Sequence, residues 1–518
     1  MSEGMTIRPK RGEPAETRAL AAAHGLRIIE AAAPQANEAT ISGITLDSRD
    51  VRPGDLYVGM PGAKQHGASF GAQAIDNGAV AIVTDAAGAE KLVGVSVPVL
   101  VTEVHPRTLL GALAADIYRT SELDAKVFGI TGTNGKTSVV YMLDALLRLV
   151  GHTTGISTTA ERRIGDVAIE SNLTSPEASE MHGLLARMIE DDVTAVALEI
   201  SAQAVVRHRI DGIMFDVVAF NNFSQDHLDE FGDMQTYFAA KQALFTKEHA
   251  ARGVVVVDSP HGKRIAKESE IPVTTLSTAY GQSADWHLAI TNHTVDGVSF
   301  VLQGPDNAYF RGRVPLFGTF MAENAALAII MMHEAGIDLS NLEALLATEP
   351  IPVSIPGRLE LMNPGATGPK FFVDYGHTPG SFESMLDGLG DVATGNIIFM
   401  FGADGDRDTT KRAEMGRIAA AGSNTLIICD YHPRFEDPAS IRAQLLEGAR
   451  QAGGRTSIHE IADPREAIRF AISEAGPDDI IVYAGPGHET YQEVAGQMLP
   501  YSARDEVRGA LREAGLMA

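Results

Sequence analysis

Cysteine is nearly missing from this chain: Cys429 stands alone among 518 residues. One thiol cannot close an internal disulfide, so nothing in the sequence calls for an oxidising compartment. Positive charge is scarce as well. Lys and Arg number 42 against 67 Asp and Glu, a formal net charge of −25. That balance argues against a general nucleic-acid or anionic-membrane surface, because phosphates attract basic faces. A small anionic ligand in a local basic pocket remains compatible with it. No apolar run of about 20 residues occurs, so no membrane span is expected. The opening stretch MSEGMTIRPKRGEPAETRAL lacks the apolar segment of a secretory leader and reads as a flexible lead-in. Internal repeats and low-complexity tracts are absent too. The cytoplasm is the expected location.

What is present is the composition of a globular protein, 45% hydrophobic and 21% charged. The length exceeds one ordinary domain and suits three of about 150 residues each. Residues 1–123 read as a small α/β domain, with 1–20 flexible. Its strand signals are GITLDSRDVRPGDLYVGMPG, AVAIVTD and VPVLVTE. Residues 124–353 open with a strand that enters a glycine-rich turn, and TAVALEIS, DVVAFNNF and GVVVVDS follow as further strands. Residues 354–518 alternate KFFVDYG, NIIFMFG, TLIICD and DIIVYAGPG with helical stretches such as AEMGRIAAAG. Strands alternating with helices predict α/β domains with mostly parallel, doubly wound sheets. Ligands in such sheets bind beyond the carboxyl ends of the strands, where the informative residues here cluster.

The stretch VFGITGTNGKTSVVYML is the strongest signal. Gly132 and Gly135 let successive backbone N–H groups face an anion, and the helix that follows adds its dipole. Lys136 can reach terminal phosphates and the Thr137 hydroxyl can ligate Mg²⁺. The strict phosphate-loop pattern is not met, because Ile130 stands where its first glycine belongs. Glu199 and Ser201 sit at a strand end in VALEIS, where a carboxylate could hold Mg²⁺. Asp226, His227, Asp229 and Lys241 share one loop and helix. Lys241 lies in the apolar run YFAAKQALF, as a snorkelling stem or as an amine with a chemical role.

Taken with NLTSPEA, LEISAQAVVRHRIDG, NNFSQDHLD, PGRLE, VDYGHTPGS, FGADGDRD, HPRFEDP and GPGHETYQ, these motifs show that the chain resembles the Mur ligase family. The likeness covers nearly everything from Gly43 onward. It implies a three-domain α/β architecture: a UDP-substrate-binding domain, a phosphate-loop-type ATP-binding domain and a Rossmann-like amino-acid-binding domain. It implies an ATP-dependent acid–amino-acid ligase of peptidoglycan synthesis, and within the family the branch that adds the third stem-peptide residue. The substrates would be UDP-N-acetylmuramoyl-L-alanyl-D-glutamate, ATP with Mg²⁺, and free L-lysine, L-ornithine or meso-diaminopimelate. The enzyme would act as a cytoplasmic monomer without a nucleic-acid partner.

The resemblance also implies roles residue by residue. Thr131, Gly132, Thr133, Asn134, Gly135, Lys136 and Thr137 would serve the ATP phosphates, with Asn324, Arg358, Asp374 and Tyr375 holding the nucleotide. Thr137, Glu199, His227 and Lys241 would serve the metals, with Lys241 carbamylated by CO₂; Lys136, Glu199, His227 and Lys241 form the catalytic set. Leu46 and Ser48 would contact the uridine end of the substrate, and Thr174, Ser175, Ser201 and Arg209 its muramoyl-dipeptide part. Arg407, Arg434, Gly485 and Glu489 would receive the amino acid. Several positions depart from the family pattern: Ala202-Gln203 for a Ser-His pair, Met321 for an asparagine, Asp404 and Thr410 for glycines, and Pro486 for a lysine. At the specificity motif, Tyr431, His432, Pro433 and Arg434 replace Asp-Asn-Pro-Arg. Arg434 could pair with a distal carboxylate, yet the acid expected at 431 is missing, so the motif leaves the amino acid open. Two alternatives are a folylpolyglutamate-synthase-like ligase and a nucleotide-binding scaffold without turnover.

Overall fold

Alternation of buried strands with amphipathic helices produces three large sheets in succession along the chain, beside two two-stranded ribbons. The computed structural model describes residues 7–10, 12–171 and 173–517. The first sheet has five strands in the spatial order Arg27–Ile29, Val99–Val101, Ala81–Thr84, Asp55–Gly59 and Gly43–Thr45. The last four are parallel and the first is an antiparallel edge. Part of the expected flexible lead-in belongs to this unit. Ala15–Glu16 pairs with Thr40–Ile41, and Thr17–Ala23 is a helix that buries Leu20 and Ala21. The guanidinium of Arg8 lies 2.6 Å from Asp55 and 3.1 Å from Asp50. An apolar stripe and a buried ion pair therefore fix what composition alone marked as loose. Residues 1–6 and 11 of that stretch lie outside the described residues.

The central sheet has eleven strands. At its middle are β1 (Lys126–Thr131), which leads into helix α1 (Lys136–Leu149), then β2 (Ala195–Glu199) and β3 (Phe215–Phe220). β1 lies between β2 and β3, parallel to both. These strands are apolar runs buried on both faces, as expected of parallel strands under helices on each side. Helix α2 (Met234–Gln242) covers one end, and α3 (Thr319–Glu334) packs beside α1 in one apolar core. Antiparallel pairings close both edges; on one side Trp286–Thr294 joins in parallel, then pairs antiparallel with Gly297–Gln303, which pairs antiparallel with Tyr309–Val314.

The third sheet contains β4 (Lys370–Asp374), β5 (Ile397–Phe401), β6 (Thr425–Ile428) and β7 (Ile480–Ala484). Its spatial order runs Glu360–Leu361, β4, β7, β5, β6, Ser457–Glu460, parallel except for the first strand. Apolar cores cover both faces. Cys429, just past β6, is 1% exposed, and burial pushes its thiol up to about 12. Among the described residues, no helix is long and apolar enough to cross a membrane.

Candidate functional site

β1 delivers the glycine-rich turn at its carboxyl end. Ile130 is fully buried in the core under α1, so the chain is still strand where the strict pattern would place its first glycine. The bend starts at Gly132. Gly135 has φ 84°, and a Cβ there would collide with the Asn221 amide and crowd Asn324 Oδ1. Only glycine fits. No side chain caps α1, which leaves its first N–H groups and its dipole for an anion.

Two residues that the sequence reading did not single out hold this turn. Asn222 Oδ1 accepts from the Asn134 N–H at 2.8 Å. The side-chain amides of Asn221 and Asn222 donate to Asn134 O at 3.2 and 3.1 Å. Asn221 also donates to Asn324 Oδ1 at 2.9 Å, so Asn324 braces the turn from α3. The available signal was a pair of amides directly after a buried strand, in FNNF.

Lys136 Nζ donates to the carbonyls of Gly132 at 3.1 Å and Thr133 at 3.0 Å. Burial lowers its amine below the ordinary lysine value, while Glu199 and Asp226 oppose that shift. Lys241 on α2 is 1% exposed, donates to the same Gly132 carbonyl at 2.8 Å and lies over the Tyr237 ring. Its amine is no snorkelling tip. Burial first, and then the charge of Lys136, holds it well below the ordinary value, which favours the neutral base.

Glu199, at the end of β2, is fully buried. Its Oε2 accepts from the Thr159 N–H at 3.0 Å and hydroxyl at 2.7 Å, while Oε1 has no partner. An orphaned buried carboxylate oxygen is costly unless a cation or water meets it. His227 has φ 53°, and its Nε2 is 3.4 Å from Asp226. Burial lowers its imidazole below the ordinary value against the pull of Asp226, leaving a neutral ring able to ligate. The Thr137 hydroxyl accepts from Arg358 Nη2 at 3.0 Å. Among the described residues no three His, Cys, Asp or Glu side chains converge on one point. Mg²⁺ commonly takes only one or two protein carboxylates and completes its shell with phosphate and water, so this donor set fits it.

A cavity of about 550 Å³ opens above the turn. Thr133, Asn134, Gly135, Lys136 and Thr137 line it from one side, with His227, Thr174 and Asn324 beside them. Arg358, Asp374, Tyr375 and His377 line it from the third sheet. Arg358 stacks on Tyr375 at 4.3 Å. Asp374 accepts backbone N–H bonds from Leu359 at 2.7 Å and Gly376 at 2.6 Å, which fixes the loop after β4. Thr131 lies beneath the turn, fully buried, with an unpartnered hydroxyl. Glu323 also faces this cavity, and burial pushes its carboxyl up to about 7.

A second, larger cavity of about 1290 Å³ adjoins the first sheet and holds Leu46, Ser48, Arg49, Arg107, Arg162 and Glu177. The three arginines were not singled out from the sequence. Arg209 does not line it; it pairs with Glu177 at 2.9 Å and donates to Ser175 O at 3.2 Å. The buried Ser175 hydroxyl donates to Glu199 O at 2.8 Å and accepts from the Ser201 N–H at 3.2 Å. Ser201 caps the short helix Ala202–Val206. These three residues brace the floor between the cavities, whereas Thr174 reaches the first one.

The remaining predicted residues gather on the third sheet. Gly485, at the end of β7 with φ 115°, donates its N–H to Asp374 O at 2.9 Å. Glu489 accepts from Tyr431 OH and, at 2.8 Å, from His432 Nε2. The Glu493 N–H donates to His432 Nδ1 at 2.8 Å, which makes Nε2 the protonated nitrogen of a neutral ring. Arg434 lies 3.2 Å from Asp404 and 3.1 Å from Glu493. Arg407 is exposed on the loop after β5. Lys411, from the same loop, reaches across to Asp226 at 3.5 Å.

Comparison with known proteins agrees with this arrangement. Family models match at residues 40–118 (Mur ligase family, catalytic domain), 130–332 (Mur ligase middle domain) and 357–487 (Mur ligase, glutamate ligase domain). The chain is 53% identical over 476 residues to the UDP-N-acetylmuramyl-tripeptide synthetase of Leifsonia xyli subsp. xyli, covering 92% of both. It is 40% identical to the UDP-N-acetylmuramoyl-L-alanyl-D-glutamate–2,6-diaminopimelate ligase of Streptomyces coelicolor, covering 93% of this chain and 94% of that one. A solved structure of a ligase of the latter name superposes with a TM-score of 0.65 at 28% identity, covering 97% of this chain and all of that one. A Mycobacterium tuberculosis folylpolyglutamate synthase complexed with ADP shares the fold at 18% identity, with a TM-score of 0.59, over 74% of this chain and 92% of its own. Sequence, fold and the joined phosphate turn lead to one conclusion: the chain belongs to the Mur ligase family of ATP-dependent, peptide-forming ligases.

Proposed function

We propose that this protein joins the amine of a free amino acid to the D-glutamate side-chain carboxylate of UDP-N-acetylmuramoyl-L-alanyl-D-glutamate, at the expense of ATP. The observation that carries the reading is the cavity above the turn, where Lys136 and Thr137 face Arg358, Asp374 and Tyr375 of another sheet. A carboxylate is a poor acyl donor. Its oxygen would attack the γ-phosphorus of ATP, ADP would leave, and an acyl phosphate would form. The amine then attacks the acyl carbon, phosphate departs, and the ammonium proton passes to solvent. Lys136 and the N–H groups at the start of α1 would stabilise charge on the transferring phosphoryl group. Mg²⁺, held by Glu199, His227 and Thr137, would supply further charge neutralisation there. The neutral amine of Lys241 is the form that CO₂ carbamylates, which would add an oxygen ligand. The second cavity, with Leu46, Ser48 and the arginines Arg49, Arg107 and Arg162, suits the nucleotide-sugar end of the substrate. Residues 1–123, 124–353 and 354–518 would then serve the UDP-substrate, ATP and the amino acid respectively, and the requirement for ATP would put the reaction in the cytoplasm.

The test is direct. Purified protein with ATP, Mg²⁺ and UDP-N-acetylmuramoyl-L-alanyl-D-glutamate should release phosphate and form a new amide mass when a diamino acid is added. ATP binding without amide from L-lysine, L-ornithine or meso-diaminopimelate would overturn the reading.

A further inference from the structure

The loop after β7 is locked to its own unit before it meets the central one. The Gly485 and Gly487 N–H groups donate to Asp374 O at 2.9 and 3.1 Å. A Cβ on Gly357 would collide with the Gly487–His488 peptide, and one on Gly487 would collide with Tyr375. Residues 485–489 are thus one fixed piece with Arg358, Asp374 and Tyr375. His488 is where this piece touches the central unit again. Its ring packs on Tyr375 with centroids 5.1 Å apart, and its Nδ1 lies 3.5 Å from Arg358 Nη1. A guanidinium only donates, so Nδ1 is the acceptor and Nε2 carries the proton. The protonated edge meets the backbone carbonyl of Thr159, just past the strand Thr154–Ser157. Burial, and then the charge of Arg358, holds this imidazole down to about 3, so the ring stays neutral with one donor and one acceptor.

Thr159 is the residue that holds Glu199. It gives its N–H at 3.0 Å and its hydroxyl at 2.7 Å to Oε2 of that buried carboxylate, and Oε1 is left without a partner. A carboxylate gripped by one oxygen keeps its direction only while the gripping residue stays in place. Arg358 makes a parallel contact from the same piece, reaching the Thr137 hydroxyl at 3.0 Å.

We propose that His488 is a positioning residue: by pinning Thr159 from the third unit, it aims the Glu199 carboxylate in the central one. The direction of that carboxylate then depends on the third unit being seated. The inference rests on the metal role given to Glu199 in the ligase reading above. Partners that orient a ligating carboxylate commonly matter nearly as much as the ligand itself.

The experiment titrates Mn²⁺, in place of Mg²⁺, into the full-length protein with ADP. Water-proton relaxation enhancement reads the protein-bound ion apart from Mn²⁺–ADP in solution. Two variants divide the ring's packing from its hydrogen bonds. His488→Phe keeps an aromatic ring on Tyr375 and loses both polar edges; His488→Gln loses the ring and keeps one N–H donor and one carbonyl acceptor. His488→Phe should weaken Mn²⁺ binding about tenfold and raise the Mg²⁺ needed for half-maximal phosphate release by a similar factor. His488→Gln should stay within about threefold of the parent in both readouts. Rescue by glutamine cannot come from misfolding. Binding in His488→Phe equal to the parent overturns the proposal. An equal loss in both variants overturns it as well, because the ring's packing would then be what matters. A parent that takes up no Mn²⁺ with ADP overturns this inference and the ligase reading together. A parent that takes it up but forms no amide overturns the ligase reading alone.

Discussion

The joint between the first and central sheets is packed, whereas the joint between the central and third sheets is a ring of polar contacts around a cavity. In the first joint, Leu110, Leu113 and Ile117 share one apolar core with Ala178 and Ala186. The fully buried His182 bridges it: Nδ1 accepts from Thr120 Oγ1 at 2.6 Å, and Nε2 donates to Asp211 O at 2.9 Å. Gly111 sits so close to Asp211 that any Cβ would collide with its backbone. In the second joint, Arg358 meets Thr137, Lys411 meets Asp226, and Gln225 meets Thr410 at 3.4 Å. Apolar packing across it centres on Phe317 against Phe372. Close packing of small residues resists sliding, while a few long polar side chains can exchange protein partners for water at small cost. On the proposed reading the difference marks the moving part: the first and central units would form one platform, and the third unit would close on it.

That contrast can be broken at either joint. The largest effect belongs to the cavity. Lys136→Ala should lower ATP-dependent phosphate release by about 10²–10³-fold or more, with an unfolding free energy within about 1 kcal/mol of the parent. Full activity in a phosphate-release assay would show that the phosphate site has been misplaced.

Acid should act at the packed joint. Burial holds His182 down to about 4 from its ordinary 6.5, so the folded protein keeps it neutral. The unfolded chain takes up a proton first as pH falls. Its stabilising contribution is therefore complete above about pH 6.5 and is lost as pH drops through the window to about 4, by up to about 3 kcal/mol. Urea unfolding at pH 7 and pH 5 should show the loss, and His182→Gln should flatten that dependence. Parallel pH profiles for the two proteins would refute this role.

Gly111→Ala should cost about 1–3 kcal/mol through overpacking, read as a lower urea midpoint with ATP binding retained. Lys411→Ala sharpens the comparison from the other side. Because both partners are largely buried, the carboxylate left behind should drive the joint open to regain water rather than unfold the chain. kcat should instead fall by about tenfold, and small-angle scattering with nucleotide should show a larger radius of gyration than the parent. An unchanged radius would argue that the Lys411 contact does not hold the third unit closed.

The fold was legible where pattern and burial coincide. VFGIT, AVALE and FDVVAF are apolar on both faces and became the middle of the central sheet. The strand Trp286–Thr294, near one end of that sheet, was not foreseen, because most of its residues face water and give no continuous apolar run. The turn residues 133–137 could be read from their own spacing, and they do line the cavity. Asn221, Asn222 and His182 could not, because each acts on a partner far away in sequence. The pairing of Arg434 with Asp404 and Glu493 was hidden for the same reason: it joins loops after β5, β6 and β7 that only folding brings together.

Cys429 returns here with a practical meaning. Its thiol is buried and protonated at neutral pH, and so is inert to maleimides in the folded state. The wild-type chain is already a dark background for fluorescent or spin labels. Paired cysteines introduced at exposed positions on the platform and on the third unit would carry dyes without stripping a native thiol, and the distance across the cavity could be followed one molecule at a time.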